Sequence, residues 1–301
     1  MGASPSFIND LKYIFKIRRT FELGMIETIN NSHQIDPALI AQLPHAPGVY
    51  IFRGDKALPL YIGKSMDIRN RVMSHIRNDE KSRMIAQARH IDYIETAGDI
   101  GAQLLEARMI KDHKPLYNIR LRRVKKLYSL RLTRKADHLV PQIVSSQEVT
   151  IGNTDSLYGL FRSANAVRGK LEDLAESHQL CHGLLGLEKM NKRGCFGFQI
   201  KKCFGACVGQ EQTKFHDERL VAGLDELKIH IWPYDGEIEL VEQREDWIQK
   251  HRINQWRYLG TWCSRDSSFH ACSENGFDLD TYKILVSSIM FDPDHNVIQV
   301  I

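Results

Sequence analysis

Two tyrosines, Tyr50 and Tyr61, lie in short apolar runs, GVYIF and LYIG, on either side of a turn-like GDKA, and the second run ends beside Lys64. A free phenol titrates near ~10, so it is a poor base at neutral pH unless a cation or a metal-bound water stabilises the phenolate. Lys64 and Arg71 are the nearby cations, because the following stretch repeats Ile68, Val72 and Ile76 at helical spacing. On that helix Asp67, Arg71 and His75 share one stripe. A second helix, IGAQLLEARMIKDHK, shows an apolar face of Ala102, Leu105, Met109 and Ile110, and Glu106 leans toward it. An inward carboxylate needs a partner. Glu106 either pairs with an Arg or Lys, or serves as a hard oxygen ligand for a divalent cation such as magnesium.

The elements that must position these groups follow from the same stretch. A turn centred on GDKA pairs Tyr50 with Tyr61 and Arg53 with Leu58 across a hairpin, putting both phenols on one face with Cβ atoms roughly 4.5 to 5.5 Å apart. A slip of one residue would send them to opposite faces. Pro59 requires an edge or a local irregularity, and Gly63 leaves room for a group to approach the backbone closely. Ser65 caps the first helix. A short helical stretch is expected near Met84–Ala88 and a strand around Ile91–Thr96. Asp99 caps the second long helix, which must stop by Lys114 because Pro115 follows. The result is a β-β-α-β-α order.

Cys181, Cys195, Cys203 and Cys207 are gathered with 13, 7 and 3 residues between them. Only the last pair is tight, whereas structural zinc sites usually show two tight pairs, and four thiolates can equally hold an iron-sulfur cluster. Zinc and iron-sulfur both stand at this point. Cys263 and Cys272 read as free thiols. Lys192, Arg193, Lys201 and Lys202 alternate with Phe196, Phe198 and Phe204 among these cysteines. The cations suit a nucleic-acid backbone and the phenylalanines suit packing.

The chain has 301 residues, 43% of them hydrophobic, and a formal charge of +4, the composition of a globular protein with room for about two domains. The positive charge is concentrated: Lys114, Arg120, Arg122, Arg123, Lys125, Lys126, Arg131 and Arg134 face one acid, Asp112, between Lys111 and Lys135. Such a field suits a polyanion. No run is long and apolar enough to span a membrane, and the start has no signal-peptide pattern, so a cytoplasmic protein is expected. The fold class is α+β. Its parts are a helical lead-in (1–43, including LKYIFKIRRTF from Leu11), a small mixed domain (44–123), strands with a helix at about Ala164–Ser177 (124–180), the cysteine region (181–210), and a helix with a β-rich tail (211–301). In that tail GEIELVE, WRYLGTW, YKILVSSI and NVIQV read as strands.

GVY, YIG, Lys64, Arg71, Glu106 and Asn118, in that order, resemble the complete signature of the GIY-YIG nucleases. PHAPGVY, LYIGKSMDIRNRV, LLEARMIKDHKPLYN and the cysteine segment resemble the N-terminal half of the UvrC excision-repair nucleases, from about residue 40 onward and most densely over 44–123. The length, with CHGLLGLE and GFDLDTYKIL, is similar to the short UvrC homologues that incise DNA 3′ to a lesion. The resemblance implies a DNA endonuclease recruited by UvrA–UvrB to damaged duplex, monomeric and off the membrane. It implies Tyr61 as general base, Tyr50 and Lys64 placing the water and stabilising the phenolate, and Glu106 holding one Mg²⁺ or Mn²⁺. Arg71 would neutralise phosphoryl charge, and Asn118 would close the site. It further implies a 4Fe-4S cluster on the four cysteines, with Zn²⁺ the alternative. DNA contacts are expected from Lys64, Arg69, Arg120, Arg122, Arg123, Lys125, Lys126, Lys192, Arg193, Lys201 and Lys202. His75 departs from the pattern, since UvrC proteins typically carry a tyrosine there. An imidazole can still donate a hydrogen bond or take a proton, or it can simply pack.

Overall fold

Alternating apolar residues in Gly48–Arg53 (β1) are buried on both sides, which makes β1 the centre of a sheet covered on each face. In this computed structural model, which describes residues 34–78, 83–118, 126–152, 156–189, 192–272, 277–291 and 297–301, β1 pairs antiparallel with Pro59–Ser65 (β2) and His90–Glu95 (β3). One face carries Tyr50, Phe52 and Leu60 against Ile68, Val72 and Ile76 of the helix Ile68–Asn78 (α2) and Ile85 of Arg83–Gln87 (α3). The other carries Val49, Ile51, Ile62 and Ile94 against Met109 and Ile110 of Asp99–His113 (α4). A short helix, Pro37–Ala41, precedes β1, its Asp36 side chain accepting from Ala38 N. The expected helix around Leu11 lies outside the described residues.

The hairpin register differs from the expected one by two residues. Tyr50 faces Gly63 and Phe52 faces Tyr61, and the register shifts between Phe52 and Arg53 so that Arg53 meets Pro59. The turn is a short 3₁₀ segment with Lys56 and Ala57 at positive φ, and the Pro-containing strand is at the sheet edge. A shift of two preserves the face, so both phenols remain together. Two expected caps also change. Asp67, not Ser65, accepts from the helical N–H of Asn70 at 2.8 Å, while Ser65 Oγ braces the approach by bonding Asp67 N and O. Asp99 is already helical, behind Gly98, which has no side chain to cap with.

The chain forms two compact units, residues to Arg123 with Tyr234–Ile301, and Val124–Pro233. In the first, after the second unit's strands Tyr128–Lys135 (β4), His138–Ser145 (β5) and Leu157–Phe161 (β6) in chain order, Ile238–Arg244 (β7), Trp247–Asn254 (β8), Arg257–Cys263 (β9), Ser268–Ala271 (β10) and Val297–Val300 (β11) make an antiparallel sheet in the order β10-β9-β8-β7-β11. YKILVSSI is not a strand. Asp278 accepts from Thr281 N and starts a helix, Leu279–Val286, that buries Leu279, Tyr282, Leu285 and Val286 at helical spacing. The continuous apolar run ILV, Ile284–Val286, resembles a buried strand, and periodicity alone does not separate the two in so short a stretch.

The second unit has Tyr128–Lys135 (β4) between His138–Ser145 (β5) and Leu157–Phe161 (β6). Leu130 and Tyr158 pack on Val167, Leu171 and Leu174 of Ala164–Ser177 (α5) and on Leu220 and Leu224 of Thr213–Leu224 (α6). The segments read from the sequence as 124–180, 181–210 and the start of 211–301 thus share one core.

Candidate active site

Tyr50 is 1% exposed on β1, and its ring lies on the backbone of Gly63. A Cβ at Gly63 would come within 2.3 Å of Tyr50 Oη and 2.8 Å of Tyr61 Cε1, so the glycine is what lets both rings settle on β2. Tyr50, Tyr61 and His75 form a ring cluster, with centroids 6.2 Å apart for the two phenols and 5.7 and 5.6 Å from each to the imidazole. Phe52 closes its inner side, 5.8 Å from both Tyr50 and His75. Tyr50 Oη is 2.9 Å from His75 Nε2.

Burial pushes the Tyr50 phenol well above its usual range, and Tyr61 and Glu106 add to the rise, while a hydrogen bond and the charge of Arg71 oppose it. Tyr61 thus lies beside this phenol, Arg71 hydrogen-bonds it, and the charge of Glu106 acts on it. Burial likewise raises the Glu106 carboxyl, with Asp99 adding to the rise and Lys64 and Arg71 opposing it. Glu106 Oε1 accepts the backbone N–H of Lys64 at 3.1 Å. The Lys64 ammonium lies elsewhere, bonded to both Asp99 oxygens at 2.8 and 3.0 Å, with Gln103 Nε2 2.7 Å from the same carboxylate. Among the described residues Glu106 has no ion pair, so a half-buried carboxylate is left for a cation from outside. That environment fits a hard divalent metal.

Asn118 is 7% exposed and pairs with both backbone groups of Ile62, accepting its N–H at 2.9 Å and donating to its carbonyl at 2.8 Å. It therefore extends the edge of β2 like one residue of a further strand. Arg71, in the first turns of α2, is exposed and also reaches the Tyr50 hydroxyl. Of the expected DNA contacts, Arg69 donates to Ala41 O at 2.9 Å, Lys126 covers the Tyr128 ring at 5.2 Å, and Lys202 pairs with Glu176 at 2.8 Å. Lys192, Arg193 and Lys201 are exposed, and Arg120, Arg122, Arg123 and Lys125 lie outside the described residues.

Asp99 and Glu242 escaped the sequence reading as site-supporting groups. Glu242 comes from β7 and accepts the N–H groups of Ile100 and Gly101 at 2.8 and 2.7 Å. Its only sequence trace is the pair Gly98 and Gly101 flanking the start of α4, a glycine spacing that by itself has many causes.

In the second unit the cysteines meet. Cys181 and Cys203 Sγ each lie 3.5 Å from Cys195 Sγ, and the three sulfurs fall within 4.8 Å of one another. Cys207 Sγ is 3.3 Å from Cys195 N and also bonds Cys181. Burial raises the Cys203 thiol to about 11, while the bonds from backbone and neighbouring thiols hold Cys195 below its usual value against its own burial. Phe198 packs on this knot as expected, but Phe196 and Phe204 are 60% and 49% exposed.

A three-stranded sheet presenting two phenols, an arginine and a helix-borne glutamate defines a GIY-YIG nuclease domain, and residues 46–119 match the UvrC-like GIY-YIG domain. Residues 127–226 match the UvrC/Cho excinuclease middle domain and 237–300 the excinuclease Cho C-terminal domain. The chain is 44% identical over 254 residues to excinuclease Cho of Salmonella typhi, covering 83% of this chain and 85% of that one. It is 41% identical over 256 residues to excinuclease Cho of Escherichia coli K12, covering 84% and 85%. The magnesium-bound GIY-YIG endonuclease domain of Thermotoga maritima UvrC is 34% identical, covering 27% of this chain and 93% of that one, with a TM-score of 0.25. The chain belongs to the excinuclease Cho family, and is a UvrC-like DNA endonuclease of nucleotide excision repair.

Proposed function

We propose that the chain hydrolyses one phosphodiester bond 3′ to a lesion in duplex DNA presented by UvrA–UvrB in the cytoplasm, as a monomer and with a divalent cation on Glu106. The observation that carries this reading is the ring cluster of Tyr50, Tyr61 and His75, with Arg71 hydrogen-bonded to Tyr50 and the charge of Glu106 acting on the same phenol. Mg²⁺ or Mn²⁺ at Glu106 supplies polarisation of the scissile phosphate and charge stabilisation of the leaving oxygen. Tyr61, the less buried of the two tyrosines, would take the proton of the attacking water as its phenolate, with the Arg71 guanidinium and the cation at Glu106 supplying the charge that stabilises it. Tyr50 stays protonated and, paired with His75, orients that water. Arg71 faces the incoming strand and neutralises charge as it develops on the phosphoryl oxygens. Lys64 acts through its backbone N–H, which holds Glu106, while its ammonium holds Asp99. Asn118 keeps β2 in place. Lys192, Arg193 and Lys201, with Lys126 and the basic stretch before it, contact the DNA backbone.

Incubating the purified protein with a duplex carrying one bulky adduct, with and without UvrA–UvrB and Mg²⁺, tests the reading. A single metal-dependent break on the 3′ side supports it, and Tyr61→Phe or Glu106→Gln must abolish that break while DNA binding survives. Breakage without UvrA–UvrB, or on the 5′ side, would reject the recruitment or the position.

The cysteine knot holds a resident metal centre. The resemblance to UvrC supports a 4Fe-4S cluster. The 3.5 Å sulfur separations favour a second reading, because four thiolates about 2.3 Å from one zinc ion stand about 3.8 Å apart. A cubane binds each thiolate to a different iron and needs the knot to open. A broad visible absorption band in protein purified without oxygen decides for iron, and a colourless protein containing one zinc decides against it.

A further inference from the structure

The helix that carries Glu106 has no cap of its own. Gly98 offers no side chain, and the first N–H groups of an α-helix lack intrahelical acceptors. Glu242 of β7, more than a hundred residues away in sequence, fills the vacancy with one oxygen on Ile100 N and the other on Gly101 N. The carboxylate also meets the positive end of the helix dipole.

Glu242 is itself held. Its side chain is 11% exposed, and its Oε2 lies 2.9 Å from Nε2 of His251, which is 2% exposed. His251 Nδ1 lies 2.7 Å from Thr261 Oγ1, and Tyr258 Oη is bonded to the same hydroxyl at 2.5 Å. The chain of contacts runs from β9 through β8 and β7 into the first turn of α4.

The sequence of α4 is shaped around this carboxylate. A Cβ at Gly98 would stand 2.2 Å from Glu242 Oε1, and one at Gly101 would stand 3.1 Å from Oε2 and 3.0 Å from His251 Cε1. Gly98 has an extended φ of −159°, so its backbone would admit any residue. The approach of Glu242, not torsion, requires glycine there. In the same turn Asp99 anchors the Lys64 ammonium, and one residue of β2, Lys64, gives its N–H to Glu106. Moving the first turn therefore moves Asp99, Lys64 and Glu106 together.

We infer that Glu242 is a positioning residue of the nuclease: the C-terminal sheet, through the Glu242–His251 pair, sets the place of α4 and with it the affinity of Glu106 for its metal. The inference rests on Glu106 being the metal ligand. Groups that orient a metal ligand typically change metal affinity by 10–100-fold.

The experiment titrates Mn²⁺ into the full chain and reads free ion by electron paramagnetic resonance, with no DNA present, alongside amide exchange over α4. Glu242→Ala and the isosteric Glu242→Gln are expected to weaken Mn²⁺ binding about ten-fold or more and to speed exchange at Ile100 and Gly101. Arg244→Ala serves as control. It breaks the bond of Arg244 to Glu95, at 2.5 Å another tie between the same sheet and the nuclease sheet, without touching α4. Unchanged Mn²⁺ affinity in either folded Glu242 variant, or an equal loss in Arg244→Ala, overturns the inference. If Glu242→Ala does not fold, Glu242→Gln decides. If Glu106→Gln binds Mn²⁺ like the unsubstituted chain, the metal assignment itself fails, whatever happens at Glu242.

Discussion

Tyr50 Oη lies 2.9 Å from His75 Nε2, with the bare backbone of Gly63 under the same ring. The buried phenol is thereby held in one orientation by an imidazole from α2 and admitted to its place by a missing side chain on β2. Gly63→Ala should displace both phenols, since its Cβ would overlap Tyr50 and crowd Tyr61. Misplacing the water-activating groups by about 1 Å costs on the order of 10²-fold in rate. Single-turnover nicking should fall by that amount while DNA binding, measured by anisotropy, is retained.

The imidazole can be separated from the phenol. Tyr50→Phe removes the hydroxyl but not the ring, and His75→Ala removes the bond and part of the packing. If the bond positions the hydroxyl for catalysis, the two variants lose nicking to a similar extent, about 10-fold or more, and the double variant loses no more than the worse single one. Additive losses would show that His75 only packs.

Glu106 on α4 and Glu242 at its first turn are shifted in opposite senses. Burial raises the folded pKa of Glu106, so its ionisation at neutral pH opposes folding, and this cost is absent below the carboxyl's unfolded pKa. Metal-free Glu106→Gln should therefore melt higher than the unsubstituted protein at pH 7 to 8, with the gap closing as pH falls. Glu242 is the reverse: burial would raise its pKa, but His251 and the two helix amides outweigh that and hold it low. Its contribution is present above the unfolded pKa and lost as pH falls through the folded one. Glu242→Gln should melt lower near neutrality and lose that difference in acid. Calorimetry across pH checks both signs.

Lys111, on the far part of α4, is 5% exposed and pairs with Asp278, which also starts the helix Leu279–Val286. Removing one partner of a buried ion pair costs roughly 3–5 kcal/mol because the other charge is left unpaired. Among the described residues Asp278→Ala leaves Lys111 with Asp280 alone, 3.8 Å away, and should lose somewhat less than that in urea unfolding. Lys111→Met should lose less, because the Asp278 carboxylate left behind keeps its hydrogen bonds from Thr281 N and Oγ1.

Asn118→Ala leaves the N–H and carbonyl of buried Ile62 without their amide partner. Each buried group left unsatisfied costs about 1–3 kcal/mol. A stability loss of a few kcal/mol in urea, with residual nicking in the folded fraction, would mark Asn118 as the brace of β2. Full stability with no nicking would instead place it beside the phosphate.

Much of the nuclease domain was legible in the sequence because its signals are local. Apolar periods marked α2 and α4, Pro115 ended α4, and the tyrosine–glycine–lysine run fixed which face of the hairpin is chemical. The exact pairing was not local: a 3₁₀ turn and an irregularity at Arg53 moved the register by two, which the alternation of side chains tolerates. Leu279–Val286 reads as a strand for a different reason, since the short apolar run Ile284–Val286 fits a buried strand as well as a helix.

The sequence by itself determined which groups are gathered, because residue type and order along four elements, β1, β2, α2 and α4, suffice to bring phenols, guanidinium and carboxylate to one sheet. Only the tertiary structure decided what holds them. The Lys64 ammonium goes to Asp99, the cysteines separated by up to 13 residues close to 3.5 Å, and α4 takes its cap from β7. Electrostatic and hydrogen-bond partners are chosen by proximity in space, and the chain brings distant residues within 3 Å of one another without leaving a periodic trace of the pairing.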